Sequence, residues 1–290
     1  MRFRMAFGFL VNKSQRYIGL ELSGAKNNKT AIAALEFYPK EKKIFLLDTY
    51  DRITSESEQS SDQALLEMIR EIGDSISLIA VNVPLELPPC IRCTRKKCPF
   101  PAKCADPSVR HMRQTVRKAI KQNPGPRILE FTPYTQRPIE IWLRYQVLPR
   151  IPESARFEID EALGGNRGPL TARMNFLKRH LSDFSIIEAW PKLSVSILAA
   201  QMGLGKRVIS SYRHLEQGSH ARWEILEGLS KHHGIFIYDR DMRKLSASLA
   251  GFDAFICAYT ALLSDTGRCT KIPSGFPQDS GWVQFPILDP

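Results

Sequence analysis

Long hydrophobic runs are missing from this chain. None approaches the ~20 apolar residues that a helix needs to cross a bilayer, so no membrane-spanning helix and no membrane partner are expected. Met1 to Val11 carries Arg2 and Arg4 ahead of a seven-residue apolar run, but that run sits at the lower limit for a secretory leader and no small-residue cleavage site follows it. Without an export signal a cytoplasmic setting is expected, where thiols stay reduced. Internal repeats are absent, and the Ser/Glu-rich run Ser55 to Ser61 is the only low-complexity stretch.

Several catalytic signatures are missing too. Gly203-Leu204-Gly205-Lys206 suggests a phosphate loop, but the Walker spacing requires Gly where Ala200 stands and Ser or Thr where Arg207 stands. The histidines show no zincin spacing, and no Gly-x-Ser-x-Gly elbow is present.

Acid is nearly missing from residues 90–127, where eleven Lys and Arg face the single acid Asp106. Almost the whole formal charge of +11 therefore lies in this stretch. A basic patch of this kind attracts phosphate backbones whatever their sequence, so nucleic acid, DNA or RNA, is the expected partner; no protein partner is indicated.

The same stretch holds four of the six cysteines as Cys90-x2-Cys93-x4-Cys98-x5-Cys104. Four thiols this close suit one tetrahedral Zn2+, with an iron-sulfur cluster or four free thiols as the alternatives. Zinc thiolates would lower the patch charge by about two and leave it strongly basic. Cys257 and Cys269 lie elsewhere, and Cys257 reads as core.

With 43% apolar and 24% charged residues, the chain has the composition of an ordinary globular protein. Arg16 to Ser23, Thr30 to Tyr38 and Lys43 to Tyr50 read as a three-stranded antiparallel meander. A helix from about Asp62 to Ile72 and a buried strand from Leu78 to Val83 follow, the latter ended by Pro84. Five prolines between Pro88 and Pro107 then exclude regular structure through the cysteine loop.

A basic helix from about Ser108 to Lys121 places Arg110, Arg113, Arg117 and Lys121 on one face, as candidate phosphate contacts. A turn at Pro124-Gly125-Pro126, helices near Pro138 to Leu148 and Pro169 to Leu181, and a strand from Phe184 to Ala189 come next. Helices over Arg222 to Leu229 and Met242 to Leu263 and a final segment from Trp282 to Pro286 complete the pattern. We expect residues 1–15 to form an extension and 16–290 one α/β domain with a metal-binding basic insertion at about 86–127.

Four polar residues interrupt apolar surroundings. Glu21, Asn82 and Glu188 stand in strands, and Asp253 stands on a helix among Leu249, Ala250, Ile256 and Cys257. A carboxylate so placed is costly unless it binds a cation, finds an arginine or shifts its pKa. Strand alternation sets Glu21 beside Tyr17, Gly19 and Ser23, which could be a wet face. Glu188 could pair with an arginine such as Arg173, and Asn82 could satisfy backbone groups.

Seven ordered blocks carry a family resemblance: Tyr17 to Gly24, Val81 to Leu85, Thr132 to Arg137, Pro169 to Arg173, Ile187 to Pro191, Asp253 to Ala258 and Gly281 to Val283. Together, over roughly residues 16 to 288, the chain resembles a domain-of-unknown-function family of predicted nucleases with a ribonuclease H-like fold. That resemblance implies a mixed sheet flanked by helices, with a carboxylate cluster holding one or two Mg2+ or Mn2+ ions for phosphodiester hydrolysis. Its implied site residues are Glu21, Asn82, Glu188 and Asp253. The chain departs from the pattern where Glu21 and Asn82 stand in place of Asp, which moves one oxygen outward and removes one charge.

Two rivals to hydrolysis follow. One is a non-catalytic nucleic-acid-binding protein of the same fold, its acidic site degraded at Glu21 and Asn82. The other is an actin-like phosphotransferase, suggested by Glu21-x-Ser23-Gly24 with Lys26 but lacking a second Gly-rich phosphate loop.

Overall fold

A computed structural model describes residues 14–24, 30–54, 59–122, 131–214 and 217–288. Residues 1–13 of the extension expected at 1–15, the loop residues 25–28, part of the Ser/Glu run at 55–58 and the turn at 124–126 lie outside them, and Gln15 already belongs to the first strand.

Strands β1 (Gln15–Glu21), β2 (Ala31–Tyr38) and β3 (Lys43–Tyr50) form the expected antiparallel meander. Helix α1 (Ser61–Ile72) starts on a capping box that the sequence spells as Ser60-x-x-Gln63. Its Gln63 amide donates to the Ser60 hydroxyl at 3.2 Å, and the Ser60 amide donates back to the Gln63 side chain at 2.9 Å. Strand β4 (Ile76–Val81) then returns beside β1 in parallel.

The cysteine loop carries one short turn of helix, α2 (Phe100–Lys103), and leads into the basic helix α3 (Pro107–Gln122). Helix α4 (Pro138–Trp142) passes into a π-helical stretch, Leu143–Val147. After α5 (Arg167–His180), strand β5 (Ile186–Ala189) pairs in parallel with β4. Helices α6 (Pro191–Gln201), α7 (Lys206–Ser211) and α8 (Gly218–His233), strand β6 (Ile235–Phe236), helices α9 (Asp239–Ala247) and α10 (Leu249–Asp265) and strand β7 (Val283–Gln284) follow.

The result is a mixed α/β fold around a sheet of seven strands in the order β6-β3-β2-β1-β4-β5-β7. One face of β1 and β4, with Ile18, Leu20, Ile79 and Val81, packs against Leu65 and Ile69 of α1 and Met174 and Leu177 of α5. The other face, with Tyr17 and Ala80 and with Ala33 of the neighbouring β2, lies under α10 through Phe255, Ile256 and Tyr259. Each fully buried large side chain contributes about 1.5–3 kcal/mol.

The single helix expected over Met242 to Leu263 is instead two, α9 and α10, meeting at 114°. Ser248 causes the break: its backbone is extended, and its hydroxyl accepts from the Gly251 amide to cap α10. Among the described residues no single helix is long and apolar enough to cross a membrane. The apolar length of α10 serves burial inside the protein, since its residues from Gly251 to Leu263 are all buried.

Helix α10 can lie this close to β1 because residue 19 is glycine. A Cβ there would fall 1.9 Å from the Ala254 carbonyl oxygen and 2.3 Å from the Ala258 nitrogen, both backbone atoms that cannot rotate away. At one end of this contact the Tyr17 hydroxyl donates to Asp265 Oδ2 at 2.6 Å. At the other lies Glu21. Replacing Gly19 by Ala is expected to lower stability by about 3 kcal/mol or more, read as a drop in the denaturant midpoint; an unchanged midpoint would refute the close approach.

Candidate active site

The C-terminal ends of the parallel strands β1, β4 and β5 lie along one edge of the sheet, the usual place for a ligand in open α/β folds. Glu21 is the last residue of β1, and Asn82 follows the last residue of β4, its amide donating to the Leu20 carbonyl at 3.1 Å. Leu20 pairs with Val81 and both face α1 and α5, so Glu21 and Asn82 emerge together on the α10 side. The face expected to be wet is thus the one under α10.

Asn82 Nδ2 donates to Glu21 Oε2 at 2.7 Å. Asp253 immediately precedes the Ala254–Ala258 stretch that touches Gly19, is 1% exposed, and pairs through Oδ2 with Arg213 at 2.6 Å. Its Oδ1 is buried with no hydrogen-bond partner among the described residues, and the Tyr212 ring lies against the Arg213 guanidinium.

Glu21 is half-buried by surface, yet protein surrounds its carboxyl, and its pKa rises to about 8. Burial is the main cause and the charge of Asp253 the next, with the Asn82 hydrogen bond, Arg213 and Arg167 opposing. Burial likewise raises Asp253, against the pull of Arg213. Burial works against the Arg213 charge, but Asp253 more than offsets it and its pKa rises. Beneath them, the buried thiol of Cys257 is pushed up by burial first and by Glu21 and Asp253 next, as a core cysteine.

A cavity of about 690 Å³ opens over Glu21 and Asn82. Four cations line it, Arg144, Arg167, Lys192 and Arg213. Arg167 donates to Asn82 Oδ1 at 3.4 Å and lies 3.5 Å from Asp160, and Lys192 pairs with Asp160 at 3.0 Å. None of the four was singled out in the sequence: Arg213 sits in an ordinary polar turn, and only the neighbouring Gly164-Gly165 gives Arg167 any local signal.

Glu188 goes elsewhere. Val81 pairs with Glu188 in parallel register, so Glu188 faces the same side as Val81, opposite to Glu21 and Asn82. There it forms a two-pronged ion pair with Arg137, both bonds 2.7 Å long, and also accepts from the Leu85 amide at 3.1 Å and the Trp190 indole at 2.9 Å. Its partner is Arg137, where Arg173 was expected; Arg173 pairs with Asp62 at 2.5 Å. Glu140 shares Arg137 at 2.6 Å, and burial lifts the Glu140 pKa to about 7 against the guanidinium's pull.

On α3, Arg110, Arg117 and Lys121 are exposed, whereas Arg113 donates to the carbonyls of Pro101 at 2.6 Å and Cys104 at 3.2 Å and so ties the cysteine loop to the helix. Cys93 and Cys98 are exposed, Cys90 and Cys104 half-buried. The Cys90 thiol is raised by burial first and then by Cys104, Cys98 and Cys93, so those three lie within electrostatic reach of Cys90. Among the described residues, however, no three of His, Cys, Asp and Glu are gathered as one ion's ligands would be.

The fold and this edge define a mixed α/β protein with a pair of neighbouring carboxylates at a cavity lined by both cations and acids. The chain matches the model of a family described as protein of unknown function (DUF429) over residues 27–278, and it belongs to that family. Asn82, Glu188 and Asp253 lie inside the matched span, and Glu21 lies before it. No curated protein and no solved structure matches the chain.

The raised pKa of Glu21 has a pH consequence. Between its ordinary 4.5 and about 8, the folded protein holds a proton that the unfolded chain releases. Stability from this group is therefore full at low pH and falls as pH rises through that window, by up to about 1.4 kcal/mol per unit. Denaturation midpoints from pH 5 to 8 are expected to decline less steeply in Glu21→Gln than in the parent; parallel curves would show that Glu21 ionises normally.

Proposed function

We propose that this chain is a metal-dependent nuclease of ribonuclease H-like architecture, in which Glu21 and Asp253 hold one Mg2+ or Mn2+ ion. The observation that carries this is the Asp253 oxygen buried without a partner among the described residues, beside a second carboxylate and near cations that can meet a phosphodiester. A hard cation fits that donor set, because it would satisfy the orphaned oxygen and draw Glu21 into its charged form. The strand order β3-β2-β1-β4-β5, with β2 alone antiparallel to its neighbours in that core, supports the architecture.

When bound, the ion would polarise the phosphodiester and make an attacking water more acidic. The chain's own residues do the rest. Asn82 holds Glu21 in place, Arg213 offsets the second carboxylate, and Arg167 and Lys192 attract the strand. Four ligands thereby reduce to two: Asn82 supports Glu21, and Glu188 positions α4 through Arg137. Arg110, Arg117 and Lys121 would take phosphates, with Arg113 as the strut of the loop.

The binding-only reading is favoured by one feature, that Asn82 and Arg213 engage the two carboxylates from the chain itself. Cleavage assays on single- and double-stranded DNA and RNA separate the two. With Mg2+ or Mn2+ we expect cutting that falls at least about a hundredfold in Asp253→Asn. Equal traces from both proteins would mean no nuclease, and binding without cutting would select the rival. Asn82→Asp adds a carboxylate beside Glu21 and should tighten Mn2+ binding about tenfold in calorimetry.

Four thiols in one basic loop have the donor chemistry of zinc, and we assign Zn2+ to Cys90, Cys93, Cys98 and Cys104. Purified protein is expected to carry one zinc per chain, lost in Cys93→Ser. Iron with visible absorption would assign a cluster in its place, and neither metal would leave the cysteines as thiols.

A further inference from the structure

The cavity is built to a fixed size. Its outer wall, residues 153–167, is stapled to the body at four points. The Leu163 amide donates to the Thr135 carbonyl at 3.1 Å, Thr171 Oγ1 to the Ala162 carbonyl at 2.8 Å, Gln136 Nε2 to Glu161 Oε1 at 2.6 Å, and Ser196 Oγ to the Ala155 carbonyl at 2.8 Å. A volume of about 690 Å³ is that of a small-ligand site, large enough for a nucleotide and too small for a duplex to pass through.

Charge pairing inside it is uneven. Arg167 and Lys192 share Asp160, and Arg213 holds Asp253. Arg144 makes no hydrogen bond or ion pair among the described residues. Exposed Glu158 lines the same cavity without pairing to it, and Glu161 is taken by Gln136. Arg144 is also the residue that the π-helical stretch Leu143–Val147 presents to the cavity, and such stretches mark functional sites more often than ordinary helix does. Half-buried Phe157 adds an aromatic surface.

Resting on the hydrolytic reading above, we infer that this cavity takes a single nucleotide unit, free or at the end of a strand, with Arg144 as the group that receives its phosphate and Phe157 as a stacking surface for its base. A guanidinium held by no acid in a partly enclosed site gains charge-assisted, two-pronged bonds to a phosphate without first breaking an ion pair. Cutting is then confined to strand ends. Water adds to the terminal phosphorus, the bond from that phosphorus to the neighbouring nucleotide's oxygen breaks, and that oxygen leaves with the proton.

Two measurements on the full chain test this. In calorimetry, adenosine 5′-monophosphate is expected to bind more tightly than adenosine. Arg144→Met should weaken the monophosphate roughly tenfold or more while leaving adenosine unchanged, and Arg144→Lys should recover part of the loss. In cleavage, a linear oligonucleotide should shorten from an end while the ligated circle of the same sequence stays intact.

Circles cut as fast as linear strands, absent monophosphate binding, or equal binding by parent and Arg144→Met would each overturn the inference. Monophosphate binding that depends on Arg144, with no cutting of either substrate, would uphold it and refute the hydrolytic reading alone.

Discussion

The backbone contact between Gly19 and helix α10 is the constraint from which the site follows. Because residue 19 has no side chain, the Ala254 carbonyl and the Ala258 nitrogen come close enough to exclude a methyl group. Glu21, two residues on, faces the same side, and Asp253 precedes Ala254. A helix held even one side chain further from the sheet would leave these two carboxylates in separate environments. The lift that Asp253 gives the Glu21 pKa is therefore a product of packing, fixed by a glycine that carries no chemistry of its own.

Two acids forced together under a core helix would cost several kcal/mol if both stayed charged and unpaired. The protein meets this in two ways. Arg213 lies on Asp253, and Asn82 gives Glu21 a donor without adding a third negative charge. An aspartate at position 82 would face Glu21 at 2.7 Å, a distance that two carboxylates tolerate only with a shared proton or a cation between them. The amide makes the site stable when empty and leaves it with fewer ligand charges when filled.

Much of the framework was legible because local chemistry decided it. The meander, the helix from about Asp62 and the proline-rich loop each follow from neighbouring residues. Asp253 was legible too, since no apolar helix face tolerates a carboxylate without a reason. Glu188 was misplaced because burial was read without parity: each of the three strands carries a polar residue at its end, but only register tells which face it takes. With Val81 paired to Glu188, alternation alone sends Glu188 to the side away from Glu21. Arg144, Arg167, Lys192 and Arg213 come from four separate segments, and nothing local distinguishes them from other surface cations.

The Arg137–Glu188 pair then takes on a purpose other than ligation. Both partners are fully buried, and such pairs contribute little net stability over apolar replacements while enforcing one geometry. Here the geometry enforced is the seat of α4 on β5, with Glu140 as a second brace. Helix α4 continues without interruption into the π stretch that carries Arg144, and Gln136, just before it, holds the wall through Glu161. The two faces of the sheet edge therefore divide the work. The α10 side gathers acids that a cation would satisfy, and the opposite side uses Glu188 and Glu140 to lock the cavity's walls in register with them.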